Sequence, residues 1–216
     1  MIQFMQVSKV YSGGFQALQG VSFSISAGEL VFFIGHSGAG KSTLLKLIAA
    51  IERPTSGAVR VGQLDTGTLK RSMVPYLRRS LGLIFQEQNI LYDRTVLDNV
   101  LLPLQVMGME SKAATARAHA ALDKVGLLRR GKANPVSLSG GEKQRMCIAR
   151  AVIHRPSVLI ADEPTANLDA AYAQEIMTVF RSFHQVGVTI LIATHDLTLI
   201  ENRSRVLQLY QGKLAQ

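Results

Sequence analysis

Hydrophobic and polar residues alternate along the first part of the chain. The alternation covers residues 5–11 and 21–26, and it returns at residues 58–61 after the turn Pro54-Thr55-Ser56-Gly57. A period of two residues is typical of strands that bury one face. We therefore predict antiparallel strands in the N-terminal part of the fold.

Later apolar stretches are continuous and short. They are residues 30–34, 81–85, 158–161 and 188–193. Such runs are typical of strands covered on both faces, as in a parallel sheet with helices on each side. Residues 94–136 show helical patterns and no strand pattern. We predict one α/β domain over residues 1–216, with a mainly parallel core sheet, an N-terminal antiparallel β subdomain and an inserted α-helical subdomain at about residues 94–155.

Composition and charge narrow the choice of partner. The 216 residues are 47% hydrophobic, which is ample for a core. The sequence contains no run of 18 or more apolar residues, so no membrane span is predicted. The net charge of +9, from 24 Lys and Arg against 15 Asp and Glu, suits a polyanionic partner such as a nucleotide, a nucleic acid or an anionic lipid surface. Cys147 is the only cysteine, so an internal disulfide is excluded, and we interpret it as a small core residue.

A phosphate-binding loop is predicted after the run at 30–34. The residues are Gly35, His36, Ser37, Gly38, Ala39, Gly40, Lys41, Ser42 and Thr43, which fit the pattern G-x-x-x-x-G-K-[ST]. Glycines let backbone N–H groups approach phosphate oxygens, and the following helix adds its N-terminal amides. Lys41 would contact the β- and γ-phosphates, and the Ser42 hydroxyl would ligate Mg²⁺. We expect ATP with Mg²⁺ as the ligand.

Two acids follow the apolar run at 158–161. In parallel α/β sheets, ligands bind at the carboxyl ends of strands, which would bring Asp162 near the phosphates. Asp162 would bind Mg²⁺ directly or through water, and Glu163 would activate the water that attacks the γ-phosphate. Strand-end acids are common, so this assignment depends on the nearby phosphate loop.

A second helix start carries the sequence Ser137-Leu138-Ser139-Gly140-Gly141-Glu142. Its exposed amides suit another phosphate contact. The Leu-Ser-Gly-Gly-Glu run resembles the signature of ATP-binding cassette (ABC) ATPases. The resemblance extends over the whole chain and implies a P-loop NTPase core, ATP hydrolysis, and a homodimer formed when ATP is bound, in which Ser139, Gly140 and Gly141 contact nucleotide held by the other subunit.

The resemblance also implies roles for residues outside these motifs. Tyr11 would stack on adenine, Gln86 would sense Mg²⁺ and the attacking water, and His195 would contact the γ-phosphate. Asn167-Leu168-Asp169 matches the loop that contributes to the dimer contact. Many relatives have Gly where this chain has Ala166, from which we expect little effect.

Within the family, residues 91–100 are the most discriminating. The amino-acid sequence of this stretch, together with those of residues 35–40 and 123–127, resembles the FtsE subfamily of bacterial cell-division ATPases. This resemblance implies an integral membrane partner of the FtsX type that docks near residues 86–109, control of peptidoglycan hydrolysis, and a peripheral location on the cytoplasmic face of the inner membrane. The ATPase of a lipoprotein-releasing or macrolide-export system shares most of these motifs and remains an alternative.

A DNA-associated ABC ATPase is the alternative of another class. The net charge of +9 favours it slightly, but no long coiled coil or zinc-type cysteine cluster interrupts the chain. We therefore expect no nucleic-acid partner.

Overall fold

The structure is a computed structural model that describes residues 1–166, 168–200 and 204–215. Its strands are β1 (Ile2–Val10), β2 (Gln16–Ile25), β3 (Leu30–Ile34), β4 (Ser56–Val61), β5 (Leu64–Asp65), β6 (Leu81–Ile84), β7 (Val158–Asp162), β8 (Thr189–Thr194), β9 (Arg205–Tyr210) and β10 (Lys213–Leu214). Its α-helices are α1 (Lys41–Ile48), α2 (Val74–Arg78), α3 (Val96–Val106), α4 (Ser111–Lys124), α5 (Gly140–Val152) and α6 (Ala170–His184).

The N-terminal strands form an antiparallel sheet in the order β2-β1-β4-β5. In β1, Ile2 and Phe4 are buried while Gln3 and Met5 are exposed, as the alternating pattern predicts. The ring of Phe4 stacks on Phe23 of β2 with 4.5 Å between centroids. This sheet shares its core with β3 and α1, so it supports one side of the phosphate loop.

The second sheet has the order β10-β9-β3-β8-β7-β6. Its strand pairs from β9 to β6 are parallel, and β10 is antiparallel at one edge. Every residue of β7 and β8 is buried, which is the reason for their continuous apolar sequences. The predicted combination of a mainly parallel core and an N-terminal antiparallel sheet is confirmed.

Along the chain, helices α3, α4 and α5 follow β6 and precede β7, within the stretch predicted to be helical. The three helices pack on one another. A core formed with α6 and one face of the parallel sheet lies beneath them. Strands β9 and β10 had not been predicted, and β9 adds to the parallel sheet beside β3. No helix in the described part of the chain is long and apolar enough to cross a membrane.

Candidate active site

A cavity of about 470 Å³ lies where parallel strands end. β3, β6, β7 and β8 run in one direction, and a predicted polar residue lies at or just beyond the carboxyl end of each. The lining residues are Phe15, Ala17, His36, Ser37, Gly38, Ala39, Gly40, Lys41, Ser42, Thr43, Gln86, Glu163, Ala166 and His195. This is the edge at which open α/β sheets bind ligands. The fold therefore gathers most of the predicted site residues at one place.

The backbone of the phosphate loop can approach this cavity because three of its glycines have a positive φ. The angle is 152° at Gly35, 77° at Gly38 and 106° at Gly40. A Cβ on Gly40 would lie 2.5 Å from the carbonyl oxygen of Ala17, so a larger residue does not fit. α1 begins at the next residue, Lys41, and its first N–H groups have no partner inside the helix. The loop and helix start thus offer donors for an anion.

Lys41 is buried and bonded to acceptors of its own chain. Its ammonium group donates to the carbonyl oxygens of Gly35 at 2.7 Å and His36 at 3.3 Å. It also lies 3.5 Å from Oε1 of Glu163. Lys41 therefore has negative and dipolar partners that a triphosphate would have to replace.

Glu163 connects Lys41 to His195. Oε2 of Glu163 lies 3.0 Å from Nδ1 of His195 and accepts the backbone N–H of His195 at 3.4 Å. Glu163 has a left-handed φ of 49° immediately after β7, and its own N–H donates to Ala193 of β8. A left-handed non-glycine residue costs energy, and such residues occur often at functional sites. The three predicted residues form one connected cluster.

Asp162 has the properties expected of a metal ligand. Its side chain is at the end of β7, the residue is only 4% exposed, and its Oδ1 has no hydrogen-bond partner. Burial raises the pKa of this carboxyl, while a hydrogen bond from Ser42 and the charge of Lys41 act in the opposite direction. A buried oxygen without a partner, beside a serine hydroxyl, fits the oxygen ligands that Mg²⁺ prefers.

Of two aromatic residues near the phosphate loop, Phe15 lines the cavity and Tyr11, the residue predicted to stack on adenine, does not. Tyr11 does not line the cavity; its hydroxyl lies 3.3 Å from Oγ1 of Thr43, and its ring is 4.9 Å from the ammonium group of Lys9. Phe15 is 59% exposed and does line the cavity, although sequence reasoning missed it. The available signal was a large apolar side chain in a polar turn, directly after Gly13-Gly14.

The signature residues lie away from this cavity. Ser139 caps α5: its hydroxyl accepts the N–H of Glu142 at 3.2 Å, and the Glu142 carboxylate accepts the N–H of Ser139 at 2.8 Å. Ser139 and Gly140 are exposed, whereas Gly141 is covered by the ring of Tyr172. Within one chain, the two predicted phosphate contacts are therefore not brought together.

The loop after Glu163 is only partly described. Ala166 lines the cavity, and Asp169 caps α6 by accepting the N–H of Tyr172 at 3.0 Å. Asn167, which the resemblance assigns to the dimer contact, lies outside the described residues.

Comparison with known proteins supports the interpretation of these elements. A profile of the ABC transporter family matches residues 18–166, which include the phosphate loop, the signature and both acids. The chain belongs to the ABC transporter family. It is an ATPase of that family, and ATP is its nucleotide.

Several relatives are cell-division proteins, and the sequence match extends over nearly their full length. The cell division ATP-binding protein FtsE of Escherichia coli (strain K12) is 55% identical over 215 residues, covering 99% of this chain and 97% of that protein. FtsE of Mycobacterium tuberculosis is 44% identical over 220 residues, covering 100% of this chain and 95% of the relative.

A solved ABC cassette has the same fold. The dimeric, post-hydrolysis structure of the ATP-binding cassette MJ0796 bound to ADP and Pi superposes with a TM-score of 0.93 at 32% identity. The match covers 100% of this chain and 97% of that chain.

Proposed function

We propose that this chain is the ATP-hydrolysing subunit of a membrane ABC complex of bacterial cell division, on the cytoplasmic face of the inner membrane. The observation that carries the proposal is the 55% identity to FtsE of Escherichia coli over 99% of the chain. The intact cluster of Lys41, Glu163 and His195 supports a working ATPase over a scaffold.

Hydrolysis would require these residues to exchange partners. When the phosphates of ATP reach Lys41, their charge replaces Glu163 as the partner of the ammonium group. Glu163 is then free to accept a proton from the attacking water, and His195 holds the γ-phosphate. Gln86, which lines the same cavity, would orient this water. Catalysis here depends on positioning and on charge stabilisation.

Ser42 and Asp162 would hold the metal, with Gln86 as the third predicted ligand. Bound Mg²⁺ would neutralise charge on the phosphates. The unpartnered Oδ1 of Asp162 supports this assignment because a buried oxygen atom without a partner is costly unless a ligand satisfies it.

A homodimer would complete the site. Ser139 and Gly140 are exposed and outside the cavity of their own chain, so they are available to the nucleotide of a second copy. The similar cassette MJ0796 is dimeric in its structure with ADP and Pi. Two-fold symmetry would place each phosphate loop opposite the signature of the other chain.

The membrane partner would dock on the segment of residues 86–109. This segment begins at the γ-phosphate sensor Gln86 and leaves some apolar side chains exposed, including Tyr92 at 50% and Val106 at 75%. A short cytoplasmic helix of an FtsX-type protein could use such side chains as anchors. The helices α3, α4 and α5 with their connecting segments form the helical lobe. ATP binding would shift this lobe and so move the docked helix, and this motion would control peptidoglycan hydrolysis outside the membrane.

Copurification tests this function. The tagged chain is coexpressed with an FtsX-type protein, and separately with the membrane subunit of a lipoprotein-releasing or macrolide-export system. We expect detergent-stable capture of the first only. The change Tyr92→Glu should lower this capture at least tenfold while ATPase activity remains. Tyr76→Glu, at an equally exposed tyrosine on α2, is the matched control.

The outcomes separate the alternatives. Selective capture of the lipoprotein-releasing or macrolide-export subunit would transfer the chain to that class. Capture of neither membrane protein, with retention of nucleic acid, would favour the DNA-associated alternative. Equal loss with Tyr92→Glu and Tyr76→Glu would remove the docking segment from the proposal.

A further inference from the structure

The loop after Gln86 is bonded to the helical lobe by side chains. We call residues 88–92 the sensor loop. Asn99 of α3 accepts the N–H of Leu91 and donates to its carbonyl oxygen, both at 2.9 Å. Asn134 donates to the carbonyl oxygen of Tyr92 at 2.9 Å. The far end of the sensor loop therefore has the lobe, not the core sheet, as its support.

Helix α5 holds the near end of the sensor loop. Arg150 donates to the carbonyl oxygen of Asn89 at 2.9 Å and, through its other terminal nitrogen, to that of Gln88. The side-chain amide of Gln88 donates to Oε1 of Gln144 at 2.7 Å, and Gln144 is only 6% exposed. A guanidinium group can satisfy two carbonyl oxygens at once because its donors form a rigid fork.

Gln86 lies between this attachment and the core. β6 ends at Ile84, and residues 85–87 connect it to the sensor loop. Within the described residues, the Gln86 side chain makes no hydrogen bond, yet it lines the cavity. The position of Gln86 is thus set by the segments on either side of it: β6 before it and the residues held by Arg150 after it.

The same helix begins at the signature. Ser139 caps α5, and Gln144 and Arg150 lie five and eleven residues further along this 13-residue helix. A capped helix of this length moves as a rigid element. Displacement of Ser139 by nucleotide on a second copy would therefore move Arg150, and with it the loop that carries Gln86.

We propose that Arg150 is a positioning residue that sets Gln86 against the γ-phosphate and links it to the signature helix. This proposal rests on the proposed ATPase mechanism and adds a residue to it. Arg150 is not among the residues that line the cavity; it acts through the backbone of Gln88 and Asn89. Gln144 supports the same attachment.

The test is a double-mutant cycle on steady-state ATP hydrolysis by the full chain. Arg150→Met keeps the aliphatic stem and removes the guanidinium donors, and Arg150→Lys restores a cation. Gln86→Ala removes the group through which Arg150 is proposed to act. Arg129→Met, at an exposed arginine of the same lobe without an ion pair or hydrogen bond in the described structure, is the matched control. Melting temperatures are measured for every variant.

We expect Arg150→Met to lower kcat by about fivefold to thirtyfold with KM for ATP nearly unchanged. Arg150→Lys should recover part of this loss, and Arg129→Met should retain parental activity. In the Gln86→Ala background, Arg150→Met should cause little further loss, because residues that act as one unit are not additive.

Several results would overturn the assignment. Multiplicative losses in the double variant, or a rise in KM equal to the loss in kcat/KM, would make Arg150 a structural residue only. If Arg150→Met is unfolded at the assay temperature while Arg150→Lys is folded and has parental activity, Arg150 would likewise have a structural role only. A parental chain that does not hydrolyse ATP would instead overturn the proposed function.

Discussion

At the residue scale, the ammonium group of Lys41 lies 3.5 Å from the carboxylate of Glu163. An unpaired buried ammonium group would be costly, so Glu163 and two loop carbonyl oxygens stabilise it. The same contact fixes the position of the Glu163 carboxylate, which also lies 3.0 Å from His195. In the proposed mechanism, Lys41 and Glu163 would hold each other in position until ATP replaces Glu163 as the partner of Lys41.

The change Glu163→Gln should preserve ATP binding and nearly abolish hydrolysis. Loss of a general base costs about 10²–10⁴-fold in rate, whereas the phosphate loop and Lys41 are untouched. Nucleotide affinity is measured by calorimetry and turnover by phosphate release. Glu175→Gln, on the exposed face of α6, is the control. Turnover of Glu163→Gln at the parental rate would exclude Glu163 as the base.

The change Asp162→Asn should reduce the dependence of ATP binding on Mg²⁺. We expect the ratio of ATP dissociation constants in EDTA and in Mg²⁺ to fall about tenfold or more, because one charged ligand is lost.

The stability of the chain should also depend on pH through Asp162. Burial raises the pKa of this carboxyl, so in EDTA its ionisation lowers folding stability as pH rises above the usual range of an aspartate. In EDTA the melting temperature of Asp162→Asn relative to the parental chain should therefore rise with pH, and a difference independent of pH would contradict this.

Two aromatic residues are candidates for the proposed contact with adenine. Because Phe15 lines the cavity and Tyr11 lies beside Thr43, we expect Tyr11→Ala and Phe15→Ala each to weaken ATP binding by about 1–3 kcal/mol. Tyr11→Phe should be nearly neutral, and Tyr76→Ala is the control. If Phe15→Ala alone weakens binding, Tyr11 has only a structural role; equal losses for Tyr11→Phe and Tyr11→Ala would point to the hydroxyl.

At the scale of elements, the turn between β3 and α1 depends on closely packed glycines, and Gly40 is the one next to α1. Gly40→Ala would place a Cβ 2.5 Å from the Ala17 carbonyl oxygen at a φ of 106°. We expect a stability loss of about 2 kcal/mol or more and no measurable ATP binding. Gly126→Ala, at a φ of 70° with open space around it, should cost only about 1 kcal/mol and leave binding intact. Equal effects of the two changes would show that the close approach is unimportant.

Elements with strong local patterns could be predicted from sequence, and those defined by distant partners could not. The apolar runs of β3, β7 and β8 were predicted because both of their faces are buried. Strand β9 was missed because most of its side chains are at least partly exposed, and only its pairing with β3 makes it a strand. Phe15 was missed for a similar reason: the path of the chain, not a motif, brings it to the phosphate loop. The contacts of Arg150 with the sensor loop join residues about 60 positions apart.

At the scale of the whole molecule, the two predicted phosphate-binding elements of one chain lie apart. The phosphate loop opens into its own cavity, while Ser139 lies outside that cavity at an exposed helix start. A dimer with two-fold symmetry would bring each signature to the cavity of the other chain. ATP would then lie at the interface, and its binding energy would contribute to assembly.

Mixing two inactive chains tests this arrangement. Lys41→Ala removes the phosphate-loop charge, and Ser139→Arg places a bulky cation at the signature, so each homodimer should be inactive. In an equimolar mixture, half of the dimers should be mixed, and each mixed dimer should contain one intact site formed by the Ser139→Arg chain's phosphate loop and the Lys41→Ala chain's signature. We expect about a quarter of the parental activity if the two sites act independently. Two Lys41→Ala preparations mixed in the same way are the control. Failure to recover activity, together with a monomeric mass for ATP-bound Glu163→Gln by light scattering, would mean that each chain completes its own site.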